Sequence, residues 1–107
     1  KMQVSPKELL VSLRAACPLV MCVQNFVAMD LSANVLLAAG ASPAMVNAPQ
    51  ESEDFTKVSS ALSINVGTAL TQEWMEASLL SAAAAKRNGL PWVLDPVGVG
   101  VTKHRTD

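Results

Sequence analysis

The chain contains no tyrosine, and two phenylalanines and two tryptophans bring its aromatic content to only 4%. Surfaces that stack unpaired bases are built from aromatic side chains, so this composition argues against a base-stacking surface. Charge is scarce as well. Asp, Glu, Lys and Arg make up 16% of the 107 residues and the net charge is −1, where an ordinary soluble domain is about one quarter charged. No basic block is present to attract nucleic acid or an anionic membrane. The longest uncharged stretch, Leu31 to Gln50, is broken by Gly40, Pro43 and Pro49, so it cannot form one apolar membrane-spanning helix. No signal segment is read at the start, and both ends look arbitrary, as in a piece of a longer chain. The single histidine, His104, sits between Lys103 and Arg105 and reads as a solvated tail residue. One terminal histidine supports no Ser/His/Asp constellation. Two cysteines, Cys17 and Cys22, match no metal or redox motif. They read as reduced thiols, which suits the cytoplasm. Neither GxGxxG nor GxxxxGK[ST] occurs, which argues against a Rossmann site and a P-loop.

What the chain does have is half hydrophobic composition, arranged as alternating helical and strand-like segments. Ser5 and Glu8 form a capping-box pair around Pro6, predicting a helix to about Ala16 that Pro18 ends. PLVMCVQN is a short, nearly unbroken apolar run, as in a strand covered on both faces, and it ends at Asn25. FVAMDLSANVLLAA followed by Gly40 predicts a helix over 26–39. Apolar residues surround it almost entirely, which predicts burial on more than one side. Asp30 and Asn34, four apart and so on one face, are read as a solvated strip, the alternative being polar groups aimed at a partner subunit. ASPAMVN is a second strand, and Ser52 is expected to cap a short helix reaching about Ser60. ALSINVG is a third strand. Thr71 then caps a long helix with Glu73 in its first turn, ending at Asn88 and Gly89. PWVLDP is a fourth strand.

Such alternation predicts an α/β fold, a parallel sheet of about four strands with helices on its faces. Right-handed crossovers bring the strand ends to one edge, where open α/β sheets bind ligands. Asn25, the 45–47 stretch, Asn65 to Gly67 and Asp95 to Gly100 all collect there. The stretch VLDPVGVG delivers a carboxylate into a turn almost without side chains. Pro and Gly stop strands, and Asp favours turns, so this could be punctuation alone. Its place on the ligand edge favours a polyanion site, with Asp95 holding a cation and Gly98 and Gly100 admitting a phosphate.

Taken together, CVQNFVAMDLSANVLLAAGASPAM, INVGT, the Ala-rich helix and PWVLDPVGVGVT resemble the hydroxyethylthiazole kinase family, from about Pro18 to Thr102. The resemblance implies a ribokinase-like fold, a homotrimer, and phosphorylation of 4-methyl-5-(2-hydroxyethyl)thiazole by ATP with Mg²⁺, in thiamine salvage. It implies a substrate pocket bordered by Met45, Asn25, Val27 and Gly67, the glycine standing where a side chain would crowd the ligand. It also implies Asp95 near the metal and Gly98 and Gly100 near the phosphates. Many members carry His and Thr in the first strand where this chain has Met21 and Gln24, which implies a pocket rim of different polarity. Residues 1–107 then form the N-terminal part of one kinase domain. The family's ATP-contacting Arg and Thr, its second acidic metal ligand and its catalytic turn lie beyond the position of Asp107. No catalytic residue is therefore expected in this chain, and the chain alone is expected to be inactive. The alternatives are a hydroxymethylpyrimidine-type kinase of the same fold, or a non-catalytic binding module.

Overall fold

The computed structural model describes residues 3–67 and 71–107; Thr68 of the INVGT stretch lies outside the described residues. Helix α1 (Pro6–Ala16) opens with the expected reciprocal cap. The Ser5 N–H donates to Glu8 Oε2 at 2.8 Å, and the Glu8 N–H donates to Ser5 Oγ at 3.2 Å. The Ser5 backbone N–H first, and the Ser5 hydroxyl second, hold the Glu8 carboxyl below its ordinary pKa. Strand β1 (Leu19–Val23) leads to α2 (Phe26–Ala39), β2 (Ser42–Met45), α3 (Pro49–Val58), β3 (Ala61–Asn65), α4 (Gln72–Arg87) and β4 (Trp92–Asp95), and a short α5 (Lys103–Thr106) follows.

The four strands form one parallel sheet in the order β2-β1-β3-β4. The chain moves outward from β1 to β2, then crosses back to place β3 on the other side of β1. That reversal sets α3 and α4 against each other on one face, while α1 and α2 share the other. The core lies under α3 and α4: Met21, Val23, Leu62 and Ile64 from the strands and Val46 just after β2 meet Ala85, with Phe55 and Trp74 packed at the margin. Small residues let these two helices approach closely. Ser52 and Thr56 of α3 and Ala77, Ser81 and Ala84 of α4 are buried. The Ser52 and Thr56 hydroxyls turn back onto the carbonyls of Ala48 (2.8 Å) and Ser52 (2.6 Å), so their burial leaves no donor unpaired.

Two expectations are corrected. Helix α3 starts at Pro49, with Ala48 as N-cap and no side-chain cap. Pro49 is preset for the first helical position, so the helix begins upstream of Ser52, which becomes a buried residue of its first turn. Helix α2 is not buried on several sides. None of its residues is fully buried, and Phe26, Val27, Leu31, Val35 and Leu37 are exposed. One face rests against β2, and α1 covers little of the remainder. Asp30 and Asn34 are solvated as expected, the Asn34 amide donating to Asp30 Oδ1 at 3.0 Å. Cys17 is exposed and Cys22 buried, both as free thiols. None of the helices among the described residues is long and apolar enough to cross a membrane.

Candidate functional site

The strand order reverses between β1 and β3, and the carboxyl ends at such a reversal are where open α/β sheets take ligands. Asn25 follows β1 there and caps α2: its Oδ1 accepts from the N–H groups of Val27 (2.9 Å) and Ala28 (3.1 Å). Its amide nitrogen then donates to Oδ1 of Asn65, the last residue of β3. The same Asn65 oxygen accepts from the Gly67 N–H at 2.9 Å. With that oxygen engaged twice, the Asn65 amide nitrogen is directed outward along the sheet edge, and it donates to Asp95 Oδ2 at 2.9 Å. Asn65 and Asp95 are also register partners of β3 and β4. The ends of three adjacent strands are thus tied by side chains into one line.

Polarity along this line is dictated from one end. Helix N–H groups require an acceptor, so the Asn25 oxygen faces them and its nitrogen faces Asn65. Asn65 must answer with oxygen, so its nitrogen is left for Asp95, where a carboxylate is the fitting partner. Among the described residues Asp95 Oδ1 accepts no hydrogen bond. No group of three His, Cys, Asp or Glu side chains able to hold a metal occurs among them. One carboxylate with a free oxygen suits a cation that takes its other ligands from phosphate and water, as Mg²⁺ commonly does.

Gly67 is buried, and a Cβ there would run into the Asn25 amide and come within 2.9 Å of Asn65 Oδ1. The two asparagines thus supply a reason for glycine within the chain itself. Val27 contributes its N–H to the Asn25 cap, and its side chain is 77% exposed. Met45 ends β2, half-buried, beside Cys22 in register. No hydrogen bond joins it to the asparagine line.

After β4 the chain turns through Gly98 (φ 76°) and Gly100 (φ 86°), left-handed conformations that glycine adopts without strain. The turn spends most of its own N–H groups. Val99 donates to Pro96 O, Val101 to Gly98 O, and Gly100 to Thr106 Oγ1 at 3.0 Å. Gly100 is therefore committed within the chain, whereas the Gly98 N–H has no acceptor among the described residues. Beneath Gly98 runs the side chain of Arg105, whose guanidinium donates to the carbonyls of Val66 (2.7 Å), Val97 (3.0 Å) and Gly67 (3.1 Å). Arg105 clasps the turn after β3 to the turn after β4, while His104 beside it is exposed. Across the edge, Phe26 at the start of α2 meets Trp74 at the start of α4, ring centroids 4.8 Å apart and edge-on. Such pairs contribute about 0.5–1.5 kcal/mol beyond area burial.

Met21 and Gln24 do not form a pocket rim. Met21 is fully buried, its sulfur 3.3 Å from the Thr56 hydroxyl. Gln24 is 4% exposed and bonded at both ends, its nitrogen donating to Ser63 Oγ (3.1 Å) and its oxygen accepting from Ser32 Oγ (3.2 Å). Both side chains serve packing between sheet and helices. Asn65 and Arg105 are the residues that reading in sequence order left unassigned. The signal for Asn65 was its position at a strand end on the same edge as Asp95.

Comparison with known proteins agrees with this fold. The hydroxyethylthiazole kinase family profile matches residues 10–107. The chain is 58% identical over 89 residues to a hydroxyethylthiazole kinase of Acinetobacter baumannii (strain ACICU), a match covering 83% of this chain and 32% of that protein. It is 48% identical over 103 residues to the hydroxyethylthiazole kinase of Roseobacter denitrificans, covering 96% and 40%. The fold superposes on the solved hydroxyethylthiazole kinase of Pyrococcus horikoshii OT3 with a TM-score of 0.88 at 44% identity, covering 92% of this chain and 39% of that one. The chain thus spans between 32% and 40% of the length of these relatives.

Proposed function

The chain belongs to the hydroxyethylthiazole kinase family, and from that premise we propose that the protein carrying it phosphorylates the hydroxyethyl group of 4-methyl-5-(2-hydroxyethyl)thiazole with ATP, a step of thiamine salvage. The observation that carries this reading is Asp95: a carboxylate at the carboxyl edge of the sheet, held through one oxygen by Asn65 and leaving the other open.

Phosphoryl transfer in line asks little covalent chemistry of a protein and much positioning. Asp95 would hold Mg²⁺, which when bound neutralises charge on the phosphates. The Gly98 N–H is available to a phosphate oxygen at the same edge. Met45 offers a polarizable thioether to a sulfur-containing ring. Asn25 has both ends of its amide engaged, so its part is to fix the start of α2 beside the pocket, with Val27 supplying apolar surface. Gly67, having no Cβ, lets the two asparagines meet. The groups that act on the alcohol and hold the rest of ATP are assigned to the portion of the protein outside these residues. The uncovered apolar face of α2 supports a homotrimer packed through that helix. Two unpaired thiols accord with the cytoplasm.

The test offers the full-length protein ATP, Mg²⁺ and two alcohols together, the hydroxyethylthiazole and hydroxymethylpyrimidine. The expected product is the thiazole phosphate alone. Phosphorylation of the pyrimidine instead, or of neither alcohol, overturns the reading.

A further inference from the structure

We propose that Asn65 is a positioning residue for Asp95, occupying Oδ2 so that Oδ1 alone is presented to the cation. The proposal rests on the kinase reading and concerns only how this chain prepares its carboxylate. Asn65 is buried, and each polar atom of its side chain is engaged: Oδ1 by the Asn25 amide and the Gly67 N–H, Nδ2 by Asp95. Its orientation cannot reverse without setting nitrogen against two donors and oxygen against a carboxylate. The Asn65 donor therefore stays on Asp95 whether or not a ligand is present, and its direction is fixed from the α2 N-terminus through Asn25.

A carboxylate tied at one oxygen binds metal through the other. That matches the octahedral, single-oxygen habit of Mg²⁺ and Mn²⁺ better than the two-oxygen grip often made on Ca²⁺. Partners that orient a ligating group commonly matter to metal affinity by about 10- to 100-fold. Aspartate at 65 would keep both acceptor contacts yet turn oxygen toward Asp95. The requirement is thus for an amide, with its two unlike ends, and not for a polar residue in general.

The experiment uses the full-length enzyme with a non-hydrolysable ATP analogue and Mn²⁺ as the paramagnetic probe. Asn65→Ser is the informative variant, because its hydroxyl can still accept from Gly67 but is too short to reach Asp95. Mn²⁺ affinity should fall about 10- to 100-fold, while thiazole affinity measured by calorimetry is retained. The kcat should fall and recover in part as Mg²⁺ is raised. Unchanged Mn²⁺ affinity in folded Asn65→Ser protein overturns the assignment, as does lost thiazole affinity with Mn²⁺ binding intact. A crystal structure of wild-type enzyme with metal and nucleotide tests it without any variant: the cation belongs on Oδ1 with Asn65 still on Oδ2, and a cation held by both oxygens overturns it. If wild-type enzyme does not phosphorylate the thiazole alcohol, the kinase reading falls and this assignment with it. If it does, but Asn65→Ser keeps its Mn²⁺ affinity, the Asn65 assignment alone falls.

Discussion

Asn25 and Asn65, 40 positions apart, share a buried amide-to-amide hydrogen bond across the junction of β1 and β3. Asn25 is at once a helix cap and a donor to the neighbouring strand end, and these two duties need opposite ends of its amide. Aspartate caps helices as well as asparagine does, but here its second oxygen would face Asn65 Oδ1. Asn25→Asp is therefore expected to cost about 1–3 kcal/mol, the range for a buried acceptor left without a donor. A urea midpoint equal to wild type would show that the cap is its whole role.

Gly67→Ala places a methyl group against the Asn25 amide and Asn65 Oδ1. Overpacking of this kind costs about 1–3 kcal/mol. Thermal melting should show the loss, and thiazole affinity should drop with it as the added methyl crowds the pocket that Gly67 is proposed to border. A variant with wild-type melting temperature and affinity would mean the site has room to spare.

Asp95→Asn separates charge from shape. An asparagine at 95 can still turn oxygen to the Asn65 amide, keeping the 2.9 Å contact while removing the charge. The melting temperature of the full-length protein should hardly move, and kcat should fall strongly, with partial recovery at high Mg²⁺. A turn-forming Asp would tolerate this exchange, since Asn makes the same local hydrogen bonds. Near-normal kcat at low Mg²⁺ would therefore return VLDPVGVG to simple strand termination.

On α2, Leu31 is 68% exposed among other apolar residues. If the proposed trimer packs through α2, Leu31→Asp in the full-length protein should convert it into smaller species on light-scattering chromatography, with the monomer fold intact by circular dichroism. A trimer that survives a charge at that point would place the subunit contact elsewhere.

The two thiols should differ in reactivity. Exposed Cys17 should react promptly with a thiol reagent at mild pH, and buried Cys22 only after unfolding. Burial pushes the Cys22 thiol up from 9.0 to about 11. Between those values the unfolded chain loses its proton first, so the contribution of Cys22 favours unfolding as pH rises through that window. Cys22→Ser should flatten this part of the alkaline stability profile. An unchanged profile would remove Cys22 as its source.

Much of the architecture was legible because its signals are local. The Ser5–Glu8 box, Thr71 before α4 and Gly40 after α2 stand within a turn of the ends they mark, and short apolar runs between helical segments mark parallel strands. The misjudged start of α3 was also a local matter, Pro49 outweighing Ser52. The error over α2 was of another kind. An all-round apolar helix shows that something must cover it, but not whether that cover belongs to the same chain.

The sequence by itself determined the alternation of helix and strand, the parallel sheet it implies, and the edge at which Asn25, Asn65, Gly67 and Asp95 gather. Tertiary structure alone decided the strand order β2-β1-β3-β4 and what those residues do to one another. It took Met21 and Gln24 out of the pocket and into packing, set Arg105 beneath Gly98, and made Asn65 the link between a helix cap and a carboxylate. The reason is sequence distance. The contacts from Asn65 span 40 positions to Asn25 and 30 to Asp95, and which end of an amide faces which neighbour is settled only when strand pairing brings all three within hydrogen-bond reach.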